Sequence, residues 1–319
     1  MDNTENIIQS RTRVSEKPAF AQGVAEIPHL IKALVSTLIA SQSFEWNLIY
    51  PSSIGSVSDV AIISTTTTFN KTFYIMFKRE KLNEMEIKIG TALNDAQDDL
   101  ADLKQSEWTQ YSWYTENITL YEWLPVEYLM NFNQDSINIV LQGDATLDTL
   151  PYNNYLISYC YIGSLLSYDG ATVDEEYNFV VTSGAANAPT DHDTFGVHTA
   201  NGVTDIAAVG TFTGVPYQSH NVGQFTDNQF GEKHILTSSR YTGNYHFSEV
   251  VVMHHVDGVR GKLQNVIIGD KFGITHRDEL YSDRGTEDEK IYLMVNVNAP
   301  YSFIGNSGNI FHGLALRKI

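Results

Sequence analysis

Cysteine is almost missing from this sequence: Cys160 is the only one, so no internal disulfide can form and an oxidative scaffold is excluded. Cations are also scarce, with 20 Lys plus Arg against 38 Asp plus Glu and a formal net charge of -18. Gripping a nucleic-acid backbone takes clustered cations, so direct nucleic-acid binding is not expected. No apolar run approaches the roughly 18 residues of a spanning helix, and the opening MDNTENIIQSRTRV lacks the apolar stretch of a secretory signal. A soluble protein without membrane attachment is the expectation. Missing as well are a GxSxG elbow, a Walker loop, a dinucleotide fingerprint, HExxH and any Cys-His ligand set. Catalysis and a bound cofactor are therefore not predicted, and no internal repeat or Pro/Gly/Ser hinge divides the chain.

What is present is a change of hydrophobic period. Residues 1–25 are polar and aperiodic and read as an N-terminal arm. Ile27, Leu30, Ile31, Leu34, Val35, Leu38 and Ile39 then recur on one helical face, with Glu26, Pro28 and His29 placed in the first turn. From Phe44 the pattern is extended: 44–50, 60–64, 72–78 and 85–90 are short runs rich in β-branched and aromatic residues, separated by Pro51, a Ser/Gly cluster and Asn70. Phe73, Ile75 and Phe77 alternate with Tyr74 and Met76, so both faces are apolar and this strand is predicted near the centre of its sheet. Residues 26–105 are read as a helix plus β-meander and 106–319 as a larger β part, which makes the class α+β, mainly antiparallel β with an N-terminal amphipathic helix.

Two polar stretches invite chemistry. The acidic piece 94–103 carries Asp95, Asp98, Asp99 and Asp102 but lacks the spacing and glycine of an EF-hand, so it reads as a solvated loop or short helix. Trp108, Tyr111, Trp113, Tyr114, Tyr121, Trp123 and Tyr128 stand among Glu107, Glu116, Glu122 and Glu127. Rings beside carboxylates suit sugar stacking and, with a suitable acid pair, glycoside hydrolysis. The plainer reading makes Trp108, Tyr111, Trp113, Tyr114 and Trp123 aromatics of a sheet or of a subunit interface. Cys160, inside 155–162, reads as a small core residue.

Further on, residues 184–230 form a loop-rich insert of Gly, Thr, Asn and Ala, suited to contacts with partners. Asp191, His192, Asp193 and His198 could be imagined around a metal, although no recognised ligand spacing is present and no metal is predicted. The stretch 245–270 is the landmark of the second half: an apolar run, the pair His254 and His255, a turn written Asp257, Gly258, Val259, Arg260 and Gly261, and a second apolar run. Arg260, a cation flanked by glycines in an acidic protein, is expected to anchor a carboxylate. Residues 278–289 read as a charged loop, and 290–298 with 309–316 as two closing strands.

The order of these features resembles virion structural proteins of tailed bacteriophages. The features are an N-terminal helix, a strand containing Trp46, an extended segment ending in Gly143 and Asp144, a strand with Tyr161, Ile162 and Gly163, and a late Gly258-x-Arg260-Gly261 element. The 184–230 insert has no counterpart in that order. The resemblance implies a tail, baseplate, collar or neck component located in the virion. Its partners would be other virion proteins and copies of itself in a homo-oligomer, and no catalytic residue carries over. The alternative is a tail-associated protein that binds or degrades carbohydrate, using Trp108, Trp113 and Trp123 with Glu116 or Glu122.

Overall fold

The computed structural model describes residues 17–79, 81–82, 84–101, 109–113, 125–143, 157–167, 172–173, 179–182, 196–199, 217–220, 247–254, 258–270, 276–282, 284–295 and 312–318. These residues are mainly antiparallel β, with one short helix near the N-terminus. None of the described helices is long and apolar enough to cross a membrane.

The first sheet is a meander of five strands in sequence order: β2 (Trp46–Tyr50), β3 (Val60–Thr66), β4 (Thr72–Lys78), β5 (Glu84–Gly90) and β6 (Thr109–Ser112). β4 is the middle strand, as its two apolar faces predict, and Phe73, Ile75 and Phe77 are fully buried. Because β6 pairs with β5 from Met85↔Tyr111 to Ile87↔Thr109, this sheet runs on past the boundary drawn near residue 105.

A second sheet of six strands lies beside it in the order β1 (Ala19–Glu26), β7 (Pro125–Phe132), β8 (Ser136–Gly143), β9 (Ile157–Gly163), β10 (Phe179–Thr182) and β11 (Gly196–Thr199). The period of two along β7, β8 and β9 explains why it is the central layer. Val126, Met130, Phe132, Ile137, Ile139, Leu141, Cys160 and Ile162 share one core with the meander sheet and the helix. The alternate residues Leu129, Val140, Tyr159 and Tyr161 share another with the third sheet.

That third, closing sheet has the order β12 (Tyr217–His220), β13 (Phe247–His254), β14 (Gly258–Asp270), β17 (His312–Arg317), β16 (Lys290–Val295) and β15 (Glu279–Ser282). It contributes Leu263, Val266, Leu293, Val295, Leu314 and Leu316 to the shared core.

The helix α1 (Leu30–Ile39) follows a 3-10 turn over Ile27–His29 with Pro28 in it, and buries Leu30, Ile31, Leu34, Val35 and Leu38. Ten residues are too few for a stable isolated helix in water, so this burial holds it, at about 1.5–3 kcal/mol for each large apolar side chain. Glu26 belongs not to the helix but to the end of β1, in extended backbone.

Three expectations are corrected. Residues 19–25, read as the end of a polar arm, form most of β1 and pair with β7 from Ala19↔Phe132 to Glu26↔Pro125. Their sequence is poor in strand formers, and it is the long-range ladder that makes them a strand. The charged loop at 278–289 contains β15, an edge strand whose charged and aromatic side chains stay half-exposed or exposed. The glycine-flanked element at 258–261 is no turn: Gly258, Arg260 and Gly261 lie inside β14, facing β13 with Val252↔Gly261 and His254↔Gly258.

Gly261 has a packing role. A Cβ there would lie 2.5 Å from the Leu166 carbonyl oxygen and 2.8 Å from Leu165 Cβ. The close approach lets Leu166 and Lys262 exchange two backbone hydrogen bonds, Leu166 N to Lys262 O at 2.8 Å and Lys262 N to Leu166 O at 2.7 Å. This bridge joins the segment leaving β9 to the closing sheet.

Candidate functional site

The densest polar structure is the turn between β7 and β8, Asn133-Gln134-Asp135, whose three side chains reach different parts of the fold. Asn133 turns inward: its Oδ1 accepts from the backbone N–H groups of Asp135 and Ser136, both at 2.8 Å, and its Nδ2 donates to Gln264 Oε1 in β14 at 3.0 Å. Gln134 bonds the meander sheet, accepting from Glu45 N at 3.0 Å and donating to Thr66 O at 2.6 Å. Asp135 holds the β3–β4 hairpin, where Thr68 donates its backbone N–H at 2.8 Å and its hydroxyl at 3.0–3.1 Å. Trp46 Nε1 closes the group by donating to Asn133 O at 3.2 Å. Burial raises the Asp135 carboxyl above its usual range, and the hydrogen bonds from Thr68 pull the other way.

Asp135 O also accepts from Ser164 N at 2.9 Å, just after β9. Gly163 makes that approach possible. Its φ is +138°, and a Cβ would sit 2.2 Å from Asp135 O and 2.6 Å from Ser136 Cα.

From this turn a relay of buried amides runs between the central and closing sheets. Tyr159 Oη donates to Asn138 Oδ1 at 2.5 Å. Asn138 Nδ2 donates to Asn131 Oδ1 at 2.6 Å and to Gln264 O at 2.9 Å. Asn131 Nδ2 then donates to Asn265 O at 2.9 Å and Arg317 O at 2.8 Å, and Gln264 Nε2 to Ser164 O at 2.7 Å. Asn131 and Asn138 are completely buried.

The acceptors Gln264 O and Asn265 O are available because β14 breaks its ladder here. Its pairing with β13 shifts register between Glu249 and Val251, and Asn265 takes a left-handed φ of 58°. Carbonyls that would have met a neighbouring strand meet the asparagines of the opposite sheet instead. Buried amides without such partners would each cost about 1–3 kcal/mol.

A smaller group lies where the segment before β15 meets the central sheet. His276 Nε2 is 3.0 Å from Gln142 Oε1, and Arg277 pairs with Glu127. Arg277 has φ of 75°, with its N–H donating to Met294 O at 2.8 Å. Burial lowers the His276 pKa below its ordinary value, the Arg277 charge lowers it further, and Glu127 opposes both.

The residues singled out from sequence are dispersed. Tyr111 and Trp113 are core side chains, not interface aromatics. Tyr111 Oη lies 2.9 Å from Ile139 O and 3.0 Å from Ser158 O, Trp113 Nε1 donates to Leu82 O at 3.1 Å, and neither ring is exposed. Trp113 therefore offers no face to a sugar. Trp108, Tyr114, Trp123, Glu116, Glu122 and Asp257 lie outside the described residues, as do Asp191, His192 and Asp193. Arg260 and His198 are placed by backbone alone, on β14 and β11. Cys160 is buried and burial pushes its thiol pKa up, in keeping with a core residue.

The acidic loop is closed by a Leu93↔Leu100 bridge and by Asn94, whose Oδ1 accepts from Asp98 N at 3.2 Å. No group of three or more His, Cys, Asp or Glu suited to a metal occurs among the described residues.

Sequence reasoning missed the amide relay. Asn131 lies between Met130 and Phe132 and Asn138 between Ile137 and Ile139, the places an alternating strand gives to solvent, so only the closing sheet laid over that face marks them as buried. Compared with protein-family models, curated proteins and solved structures, the chain matches none of them.

Proposed function

We propose that this chain is a structural subunit of a tailed-bacteriophage virion, repeated in the tail, baseplate, collar or neck, and that it acts by assembly rather than catalysis. The observation that carries the reading is the use made of polar side chains between the layers: buried Asn131, Asn133, Asp135, Asn138 and Gln264, with half-buried Gln134, bond layer to layer. A slab locked this way transmits load and presents fixed edges, as a repeated building block must. The chain order of helix, Trp46 strand, Gly143 and the Tyr161-Ile162-Gly163 strand supports the same reading through its resemblance to virion proteins. In this reading the fold is α+β, with an amphipathic helix closing one end of a stack of antiparallel sheets.

The test is direct. Particles of the virus that encodes the chain are purified and examined by mass spectrometry and by immunogold labelling with an antibody raised to it. Stoichiometric recovery, with label confined to one level of the tail or neck, is expected. Its absence from washed particles would end the proposal. Saturable binding or release of sugar on incubation with host cell-wall polysaccharide would favour the carbohydrate alternative instead.

A further inference from the structure

We infer that the outer edge of β1 is a self-association surface, on which β1 of a second copy adds antiparallel across a two-fold axis. For its biological setting this rests on the assembly reading above; its physical basis is separate.

β1 is the edge strand of the central sheet. It pairs with β7 along its whole length, and on its other side no backbone hydrogen bond is made among the described residues. Natural edge strands are commonly blunted by Lys, Pro or a bulge within the strand. Ala19–Glu26 has none of these: its register with β7 is unbroken and its one charged residue is the terminal Glu26. On one face stand Phe20, Gln22, Val24 and Glu26, and Val24, 64% exposed, is the most exposed large apolar residue among those described.

Charge selects the direction of pairing. Lys17 lies just before the strand and Glu26 ends it, both exposed. A parallel neighbour would set like charge beside like, whereas an antiparallel one brings the Lys17 end of each copy to the Glu26 end of the other, the two charges one residue out of register.

Hydrogen bonding limits the register. Alternate residues of β1 turn their N–H and C=O groups outward, and two copies related by a two-fold axis can pair only if the residue at the axis faces itself. Of the central positions, Ala21 at the axis would set Phe20 against Gln22, and Gly23 would set it against Glu26. With Gln22 at the axis, Phe20 of each copy faces Val24 of the other. That gives two aromatic against β-branched cross-strand contacts, which cover the exposed valine. The occupant the edge fits is thus a second copy of this chain, with Gln22 opposite Gln22.

The experiment uses the full chain. Sedimentation equilibrium of the wild type should show self-association, and Val24→Lys should weaken it about tenfold or more, because two cross-strand contacts are lost together. Val24 is exposed, so melting of the variant should match the wild type at dilutions where both are single chains. Two cysteine variants fix the register. Gln22→Cys should give a covalent dimer under mild oxidation. Val24→Cys should not, since in this register its two copies lie about 13 Å apart along the strands, beyond the reach of a disulfide.

A wild type that stays a single chain, a Val24→Lys variant that associates undiminished, or equal cross-linking at both positions would overturn the inference. Those failures leave the particle experiment untouched. Conversely, β1-mediated dimers of a chain absent from particles would retire the virion reading and keep the edge.

Discussion

At the residue scale, the informative side chains are those whose partners lie in another layer. Asn138 accepts from Tyr159 and donates to Asn131 and Gln264. Replacing it by leucine, close in size, would remove an acceptor from the Tyr159 hydroxyl and a donor from two carbonyl oxygens in the core. Asn138→Leu is expected to lose about 3 kcal/mol of stability or more, measured by denaturant unfolding. A loss below about 1 kcal/mol would mean that the relay is not tight.

Asp135 behaves differently, because its folded pKa is raised by burial. Between its ordinary value and that raised value the folded chain binds the proton more tightly than the unfolded chain, so this group adds stability as pH falls through the window. Asp135→Asn keeps an acceptor for Thr68 N and removes the charge. The variant should match or exceed the wild type in stability at neutral pH, with the difference shrinking on acidification. Thermal melts across that range would show it, and a deficit at neutral pH would disprove it. His276 has the opposite sign: its pKa is lowered, so its contribution is lost as pH falls below the ordinary histidine range.

At the scale of elements, the strands that were legible carry their own pattern. The helix could be read from the spacing of Leu30, Leu34, Val35 and Leu38, and β4 from an alternation with two apolar faces. β1 was not legible, since Ala, Gly and Gln are weak strand formers and it is pairing with β7, about a hundred residues away, that decides. Gly261 does not mark a turn because glycine signals either a turn or a close backbone approach, and only the position of Leu166 distinguishes the two. The aromatic cluster misled in a similar way. Local sequence cannot say which layer a ring faces, and Tyr111 and Trp113 face inward.

Two predictions belong to this scale. Gly163→Ala would push a Cβ against the Asp135 carbonyl at positive φ, and should cost about 2–4 kcal/mol in chemical unfolding. Removing residues 312–319 takes out β17, which lies between β14 and β16. Near-ultraviolet circular dichroism of the truncated chain should show loss of fixed tertiary packing, and a native spectrum would contradict the central place of that strand.

At the scale of the molecule, three sheets are stacked with two cores between them, and the polar contacts cross those cores at chosen points. The β7–β8 turn touches all three layers, so substitutions there should not add independently with substitutions at Gln264 or Thr68. A double-mutant cycle of Asn133→Ala with Gln264→Ala should return a coupling of about 1 kcal/mol or more, whereas a coupling near zero would make the contact incidental.

The relay also has a spectroscopic consequence. The side-chain amide hydrogens of Asn131 and Asn138 are closed off between two sheets. Deuterium can replace them only when those sheets part, so their resonances keep time for a single event, the opening of one layer from the next. Exchange at Asn131 and Asn138 would thus clock that opening separately from the fraying of individual strands reported by backbone amides.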